Sequence, residues 1–382
     1  MKILHYIPKT SHGGIIFDDL TTLVAAMKPL ADVQVTTKNA DAIPILEKGQ
    51  TDILHIHACW NCKAAQIAKK AHKQGVAVVI SPHWQLEPYI RMHEQHITKV
   101  VKTALYQYKM IRQADALQVS TEAERKNLIY LGWNKRCDVV RSSLLNSSVT
   151  AETMARSMMD FYQKVIDTRY GKLMTTQEFQ AIFSLLHVGK EKDARYTSLS
   201  NEQILNIRDL NPAQWQRMML YADDEHIRDV IEAGVTKLAL DAPAIDTSQI
   251  ARFETEMPKS GDALETKRLI QEKKSLKEKL ERETQGVDEV IKSICIMLLN
   301  MKYHIQKRTL SMRHLADFYE VVKYQDYDED KLKEVLKYMK LKGLASSIIY
   351  LLSETFYLSE GFMPIPPIDN KTTRHIRQMI IH

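Results

Sequence analysis

Apolar and polar positions alternate along the first 140 residues in a regular way. Short apolar runs of strand length occur at 2–7 (KILHYI), 33–37 (VQVTT), 52–56 (DILHI), 76–80 (VAVVI), 116–120 (ALQVS) and 137–140 (CDVV). Between them, apolar residues recur at helical spacing over 16–27, 40–48, 62–73 and 93–113. In the third of these stretches the stripe is Ala65, Ile67, Ala68 and Ala71, and Gly75 ends it. Thr121, with Glu124 at capping-box spacing, starts a further helix that Gly132 ends. Strands that alternate with helices predict a doubly wound parallel sheet. The VAVVI run is apolar at every position, as a strand covered on both faces requires.

After residue 140 the strand period disappears. Residues 148–170 read as one helix, and from Thr175 onward the chain is helical with polar faces. Asn211 and Pro212 supply a cap and a first turn. A loop-rich stretch at 242–261 separates this region from a charge-laced helix at 263–285 and three or four more helices over 287–356. Residues 364–368 (PIPPI) are expected to be extended, and the tail after them is short and basic. The expected fold class is therefore α/β followed by all-α. An α/β domain covers 1–147, a helical region 148–245, and a C-terminal helical domain 262–382. The 12 glycines in 382 residues argue against a second α/β domain rich in tight turns.

Charge adds to this picture. Residues 1–150 hold 19 Lys+Arg against 12 Asp+Glu, and eight of the 14 histidines. A basic first domain suits phosphorylated ligands or an anionic membrane surface, and the charge is too scattered for nucleic acid. The stretch with Lys99, Lys102, Lys109 and Arg112 is a basic amphipathic helix suited to peripheral contact with an inner membrane. Four cysteines make no disulfide framework, which points to a reducing, cytoplasmic setting. MKILHYIP reads as a strand rather than an apolar leader, and no apolar run approaches the roughly 20 residues of a bilayer span.

Candidate chemistry gathers after the strands. His12, Gly13 and Gly14 lie between the first strand and first helix, where glycine lets a phosphate or hydroxyl approach backbone N–H groups. His55 and His57 alternate on one strand and share a face. No third ligand stands at metal-site spacing, so burial with hydrogen bonds is the expectation and no metal is assigned. Cys59 and Cys62 form C-x-x-C at a helix start, a redox position that no second motif supports. His83 and Glu87 follow VAVVI, and Thr121 begins a helix at the same sheet edge. An imidazole there can bond a hydroxyl or steady developing charge, and a carboxylate can accept from one.

Two motifs carry a resemblance. H-I-H-x-x-W (His55, Ile56, His57, Trp60) and S-P-H-x-x-L-E-P (Ser81, Pro82, His83, Leu86, Glu87, Pro88) resemble the N-terminal domain of family-4, GT-B-fold glycosyltransferases in order and spacing. The likeness runs from Met1 to about Ser143. Trp84 stands where that family often has glycine. The resemblance implies retaining transfer from a nucleotide sugar to a saccharide or lipid-linked acceptor, in bacterial surface-polysaccharide synthesis. The nucleotide sugar is a substrate, and no cofactor is implied. His83 would face the transferred sugar as the catalytic residue. His12, Gly13, Gly14, His57, Trp60, Glu87 and Thr121 would bind substrate. The 148–170 helix resembles the one that returns from the donor domain in complete enzymes. No donor domain is recognisable here, so the alternative is an acceptor-binding subunit completed by a donor-domain partner.

Overall fold

The computed structural model describes residues 1–8, 14–93, 96–253, 259 and 274–381. The chain divides into two compact units, the first built on Met1–Arg169 and the second beginning at Tyr170. The first contains six parallel strands: β1 (Lys2–Tyr6), β2 (Asp32–Thr36), β3 (Ile53–Ile56), β4 (Ala77–Ile80), β5 (Ala116–Val119) and β6 (Cys137–Val139). Their order is β2-β1-β3-β4-β5-β6. All six expected strands are present, and the doubly wound sheet is the observed one.

The helices are α1 (Ile15–Met27), α2 (Asn39–Glu47), α3 (Cys62–Lys73), α4 (Pro88–His93), α5 (His96–Lys102), α6 (Tyr108–Gln113), α7 (Glu122–Leu131) and α8 (Ala151–Asp167). The helix expected over 93–113 is observed as α5 and α6 joined by a π turn at Thr103–Gln107. The Asn61 side chain caps α3, Thr121 caps α7 and Thr150 caps α8, each accepting from the backbone N–H three residues on. Gly132 ends α7 in the left-handed conformation, where a Cβ would add strain.

Alternate residues on each strand serve opposite layers. Leu4, Leu54, Val78 and Leu117 pack toward α3. Ile3, Ile53, Ala77 and Val79 pack toward α1 and α8. Helix α8 reaches them with Met154, Met158, Phe161, Tyr162 and Val165, one stripe at helical spacing. By this alternation His5 and His55, paired in register on β1 and β3, belong to the α1/α8 layer.

The chain leaves β1 toward β2 on one side and returns to β3 on the other. The strand order therefore reverses between β1 and β3, and a crevice opens outside their carboxyl ends. In open α/β sheets ligands bind at such switch points.

The second unit has no strand among its described residues. Its main helices are Thr176–Lys190, Pro212–Asp224, Arg228–Lys237, Glu289–Lys307, Met312–Tyr324 and Lys342–Thr355. Of the helix expected at 263–285, residues 263–273 lie outside the described residues, and Lys274–Glu283 is helical. In the short basic tail Asn370 caps a helix over Lys371–Ile380, with Ile376 and Ile380 buried. Within this unit Thr176–Lys190 and Arg228–Lys237 touch through backbone. A Cβ on Gly189 would strike the Val230 carbonyl, and one on Gly234 would strike that of Leu185. Gly234→Ala should therefore cost about 1–3 kcal/mol by forcing the helices apart, read as a lower urea midpoint at unchanged helix content. An unchanged midpoint would contradict this packing.

Candidate functional site

The switch point is filled with histidines. His5 and His55 lie one residue before the ends of β1 and β3, His57 lies just beyond β3, and His83 follows β4; the first three are buried and His83 is partly so. Backbone ladder bonds carry on past the strands, with His57 N–H donating to the Tyr6 carbonyl (2.9 Å) and Ser81 N–H to that of Ile56 (2.9 Å). These bonds hold both loops against the sheet edge.

The side chains form two hydrogen-bonded series. In the first, Gln118 donates from Nε2 to the carbonyls of Val119 (2.9 Å) and Val140 (3.2 Å), which fixes which way its amide faces. Its Oε1 must then accept, and it accepts the Ser81 hydroxyl proton. With that proton committed, Ser81 Oγ accepts from His55 Nε2–H (2.6 Å). His55 Nδ1 is left as a lone pair, and it accepts from the Tyr162 hydroxyl on α8 (2.5 Å). Every polar atom along this series has a partner, and one tautomer of His55 satisfies it.

In the second series His5 Nδ1 meets His57 Nε2 at 2.9 Å, and His57 Nδ1 meets His83 Nε2 at 3.1 Å. Adjacent ring planes differ by 24° and 23°, with centres 5.2 and 5.3 Å apart, so the imidazoles meet edge to edge. A neutral imidazole offers one N–H and one lone pair. The three rings must therefore run donor to acceptor in one direction, and the tautomer of His5 determines what His83 presents.

Burial keeps these rings uncharged. It lowers His5 to about 3 and His83 to about 4, and drives His55 and His57 well below the ordinary value, with neighbouring histidines adding to the shift. One atom is left over: His5 Nε2 is buried without a partner among the described residues.

His5, His55 and His57 bring ligand-capable atoms within 4.8 Å of one another. The third histidine that sequence spacing did not supply thus arrives from β1. Both nitrogens of His55 and both of His57 are already engaged, and the His55 and His57 rings stack with centres 4.2 Å apart. This arrangement is that of a hydrogen-bond network. A metal would have to displace several of its bonds.

A cleft of about 10 Å³, room for roughly one water, lies beside the second series. His57, His83 and Gln118 line it from the sheet, Asp19 and Leu20 from α1, and Met158 from α8. Asp19 accepts from the Ser142 hydroxyl at 2.5 Å, and burial raises its carboxyl above the usual range. No sequence motif marks Asp19 or His5 as site residues; tertiary packing of α1 and β1 brings them in.

The other sequence candidates divide. His12 and Gly13 lie outside the described residues. Gly14, at φ 109°, takes the N-cap position of α1, a conformation that glycine allows. Trp60 is a brace for its loop. Its backbone N–H donates to Gln107 Oε1 (2.7 Å), its indole N–H to the Gln85 carbonyl (3.0 Å), and its carbonyl accepts from Tyr106 (2.7 Å). Glu87 accepts from the Asn127 amide on α7 and is raised by burial. The Thr121 hydroxyl accepts from Glu124 N–H (3.2 Å) as a helix cap. None of these three lines the cleft.

The His83 loop is strained. His83 and Trp84 have φ of 47° and 65°, so Trp84 occupies backbone that would suit glycine. It is held by Glu124, whose carboxylate accepts the Trp84 N–H at 2.7 Å and is pushed up to about 7, mainly by burial. The capping-box spacing signalled Glu124 at α7, but its second role on the β4 loop depends on the fold. Cys59 and Cys62 are free, and burial raises the Cys59 thiol, which opposes the thiolate that redox chemistry needs.

Two predictions follow from this geometry. Tyr162→Phe leaves the His55 Nδ1 lone pair buried and unpaired, and should cost about 1–3 kcal/mol in chemical denaturation; an unchanged midpoint would remove the first series. The depressed pKa values give a sign for acid. Unfolded imidazoles titrate near 6.5, so below that pH the unfolded chain takes up protons that the folded chain refuses. Stability should be fully present above about pH 6.5 and fall as pH drops toward 4, by up to about 1.4 kcal/mol per pH unit per histidine. His5→Gln should make the slope shallower, and an identical slope in the variant would contradict the assignment.

No known protein-family model, no curated protein and no solved structure matches this chain.

Proposed function

We propose that the first unit is an acceptor-binding half of the GT-B glycosyltransferase type, working as a subunit whose donor half lies on a partner chain. The observation that carries this is the contrast between the two units. The first is a parallel sheet with a cleft at its switch point, while the described residues of the second are helical and contain no sheet to hold a nucleotide sugar. The motifs H-I-H-x-x-W and S-P-H-x-x-L-E-P support the family, and their histidines line or adjoin that cleft.

In this reading a saccharide or lipid-linked acceptor lies across the mouth of the cleft, at the cytoplasmic face of a bacterial inner membrane. Neutral His83 makes a hydrogen bond to a sugar hydroxyl, and Asp19 faces the same space. A chain of neutral imidazoles suits recognition of an uncharged hydroxyl, because no buried charge has to be compensated when the site is empty.

A second reading, favoured by the position of His83 after its strand, is a stand-alone retaining transferase. Here His83 contacts the transferred sugar.

Thermal unfolding against a panel of saccharides, a short-chain lipid-linked sugar and nucleotide sugars separates the two. A ligand at 100 times its dissociation constant adds about 2.7 kcal/mol, a shift of a few degrees. The subunit reading predicts a shift with an acceptor, lost in His83→Ala, and none with nucleotide sugars. A shift with one nucleotide sugar, together with product formation by the pure chain, would transfer the case to the second reading. No shift with any ligand would sink both.

A further inference from the structure

A cavity of about 600 Å³ opens in the second unit, far larger than the cleft beside His83. Sites for small molecules fall in the range of about 300–1,000 Å³. Three pieces of chain bound it. They are the last turn of a helix over Asn201–Arg208, the first turn of Pro212–Asp224, and residues 239–243 after Arg228–Lys237. All of them lie within the second unit.

The sequence sets these pieces by helix ends. Asn211 and Gln214 form a capping box with Pro212 in the first turn, so the second helix must start there. After the third helix, Leu240 N–H donates to the Val235 carbonyl and Ala239 N–H to that of Thr236, both at 3.1 Å. This pair of bonds is the Schellman closure. Ala239 takes φ 48° at the position where glycine is usual. The strained turn brings Leu240, Asp241 and Pro243 to the cavity wall.

The wall is apolar over Ile207, Leu210, Pro212, Trp215, Leu240 and Pro243. Three polar groups interrupt it. Trp215 is only 5% exposed, yet its indole N–H makes no hydrogen bond among the described residues. A buried indole N–H ordinarily has a partner. Arg208 and Asp241 border the same cavity with opposite charges, and neither forms an ion pair among the described residues. One exposed unpaired charge is ordinary. Two of opposite sign that share a cavity and stay apart present both poles to whatever lies between them.

We propose that this cavity binds a zwitterion with an apolar body: an α-amino acid or dipeptide with a large aliphatic or aromatic side chain. The Arg208 guanidinium takes the carboxylate with its fork of N–H donors, and Asp241 accepts from the ammonium. The side chain lies on Trp215 and the apolar wall, and the Trp215 N–H donates to a ligand oxygen. A purely apolar ligand would use neither charge and leave the indole N–H unpaired. An anion without an ammonium would meet repulsion from Asp241. The assignment rests on the second unit alone, whatever the first binds.

The test is isothermal titration calorimetry of the pure full-length chain with L-phenylalanine and L-leucyl-L-phenylalanine at millimolar concentration; whichever binds tighter identifies the source. The controls are N-acetyl-L-phenylalanine, which lacks the ammonium, L-phenylalaninamide, which lacks the carboxylate, and glycine, which lacks the body. Each control should bind at least about tenfold more weakly than the zwitterion. Arg208→Gln should abolish the preference for phenylalanine over its amide, and Asp241→Asn the preference over the N-acetyl form. Both positions are exposed, so the melting temperature without ligand should stay unchanged. Trp215→Phe keeps an aromatic wall and should weaken binding by removing the N–H. Three results would overturn the proposal: no heat from either zwitterion with the folded chain, equal binding of the zwitterion and both blocked forms, or preferences unchanged in Arg208→Gln and Asp241→Asn.

Discussion

Everything at the ligand edge of this sheet depends on one requirement: polar nitrogens taken out of water must find hydrogen-bond partners. His5 and His55 stand side by side one residue before the ends of β1 and β3, where a parallel strand would ordinarily carry Val or Ile. Satisfying His55 draws in Ser81 from the β4 loop, Gln118 from β5 and Tyr162 from α8. This series ties β3, β5, the β4 loop and the covering helix together, while His5 joins His57 and His83 in a second series. Low polarity makes a fully paired network rigid and an incomplete one costly, so the site is organised before any ligand arrives.

The same network limits the chemistry. Imidazoles held neutral by burial are poor candidates for a cationic clamp, and donor-to-acceptor ordering couples the face His83 shows the cleft to a ring two residues deeper in the chain of bonds. The unpartnered Nε2 of His5 marks the inner end of that chain. Strain at His83 and Trp84 is sustained by Glu124, so the loop that carries the candidate catalytic group is braced from α7.

Much of the fold was legible in sequence because strand and helix periods are local. The VAVVI run, the Ala65-to-Ala71 stripe and the Thr121/Glu124 cap each announce their element without reference to the rest of the chain. The site was legible only where it follows those strands: His57 and His83 come together as their positions implied. His5, Asp19 and Gln118 were not visible, because nothing local distinguishes a histidine in KILHYI from a filler, and their meeting is a product of strand order. Trp60 and Thr121 use their side-chain hydrogen bonds on the Gln85 carbonyl and the first turn of α7, and Glu87 accepts from Asn127 on α7 with one carboxylate oxygen. The helical tail after Asn370 escaped detection because its two buried isoleucines are sparse within a basic sequence.

The central claim is a set of neutral, directionally ordered imidazoles at the β1/β3 switch point. Long-range proton–nitrogen NMR of histidine-labelled protein at neutral pH tests it most directly, with single-histidine variants for assignment. The account predicts that His5, His55, His57 and His83 each carry one ring proton, that His55 is protonated on Nε2, and that His5, His57 and His83 share one sense of protonation. A cationic ring among the four, His55 protonated on Nδ1, or mixed tautomers along the three-ring series would contradict it.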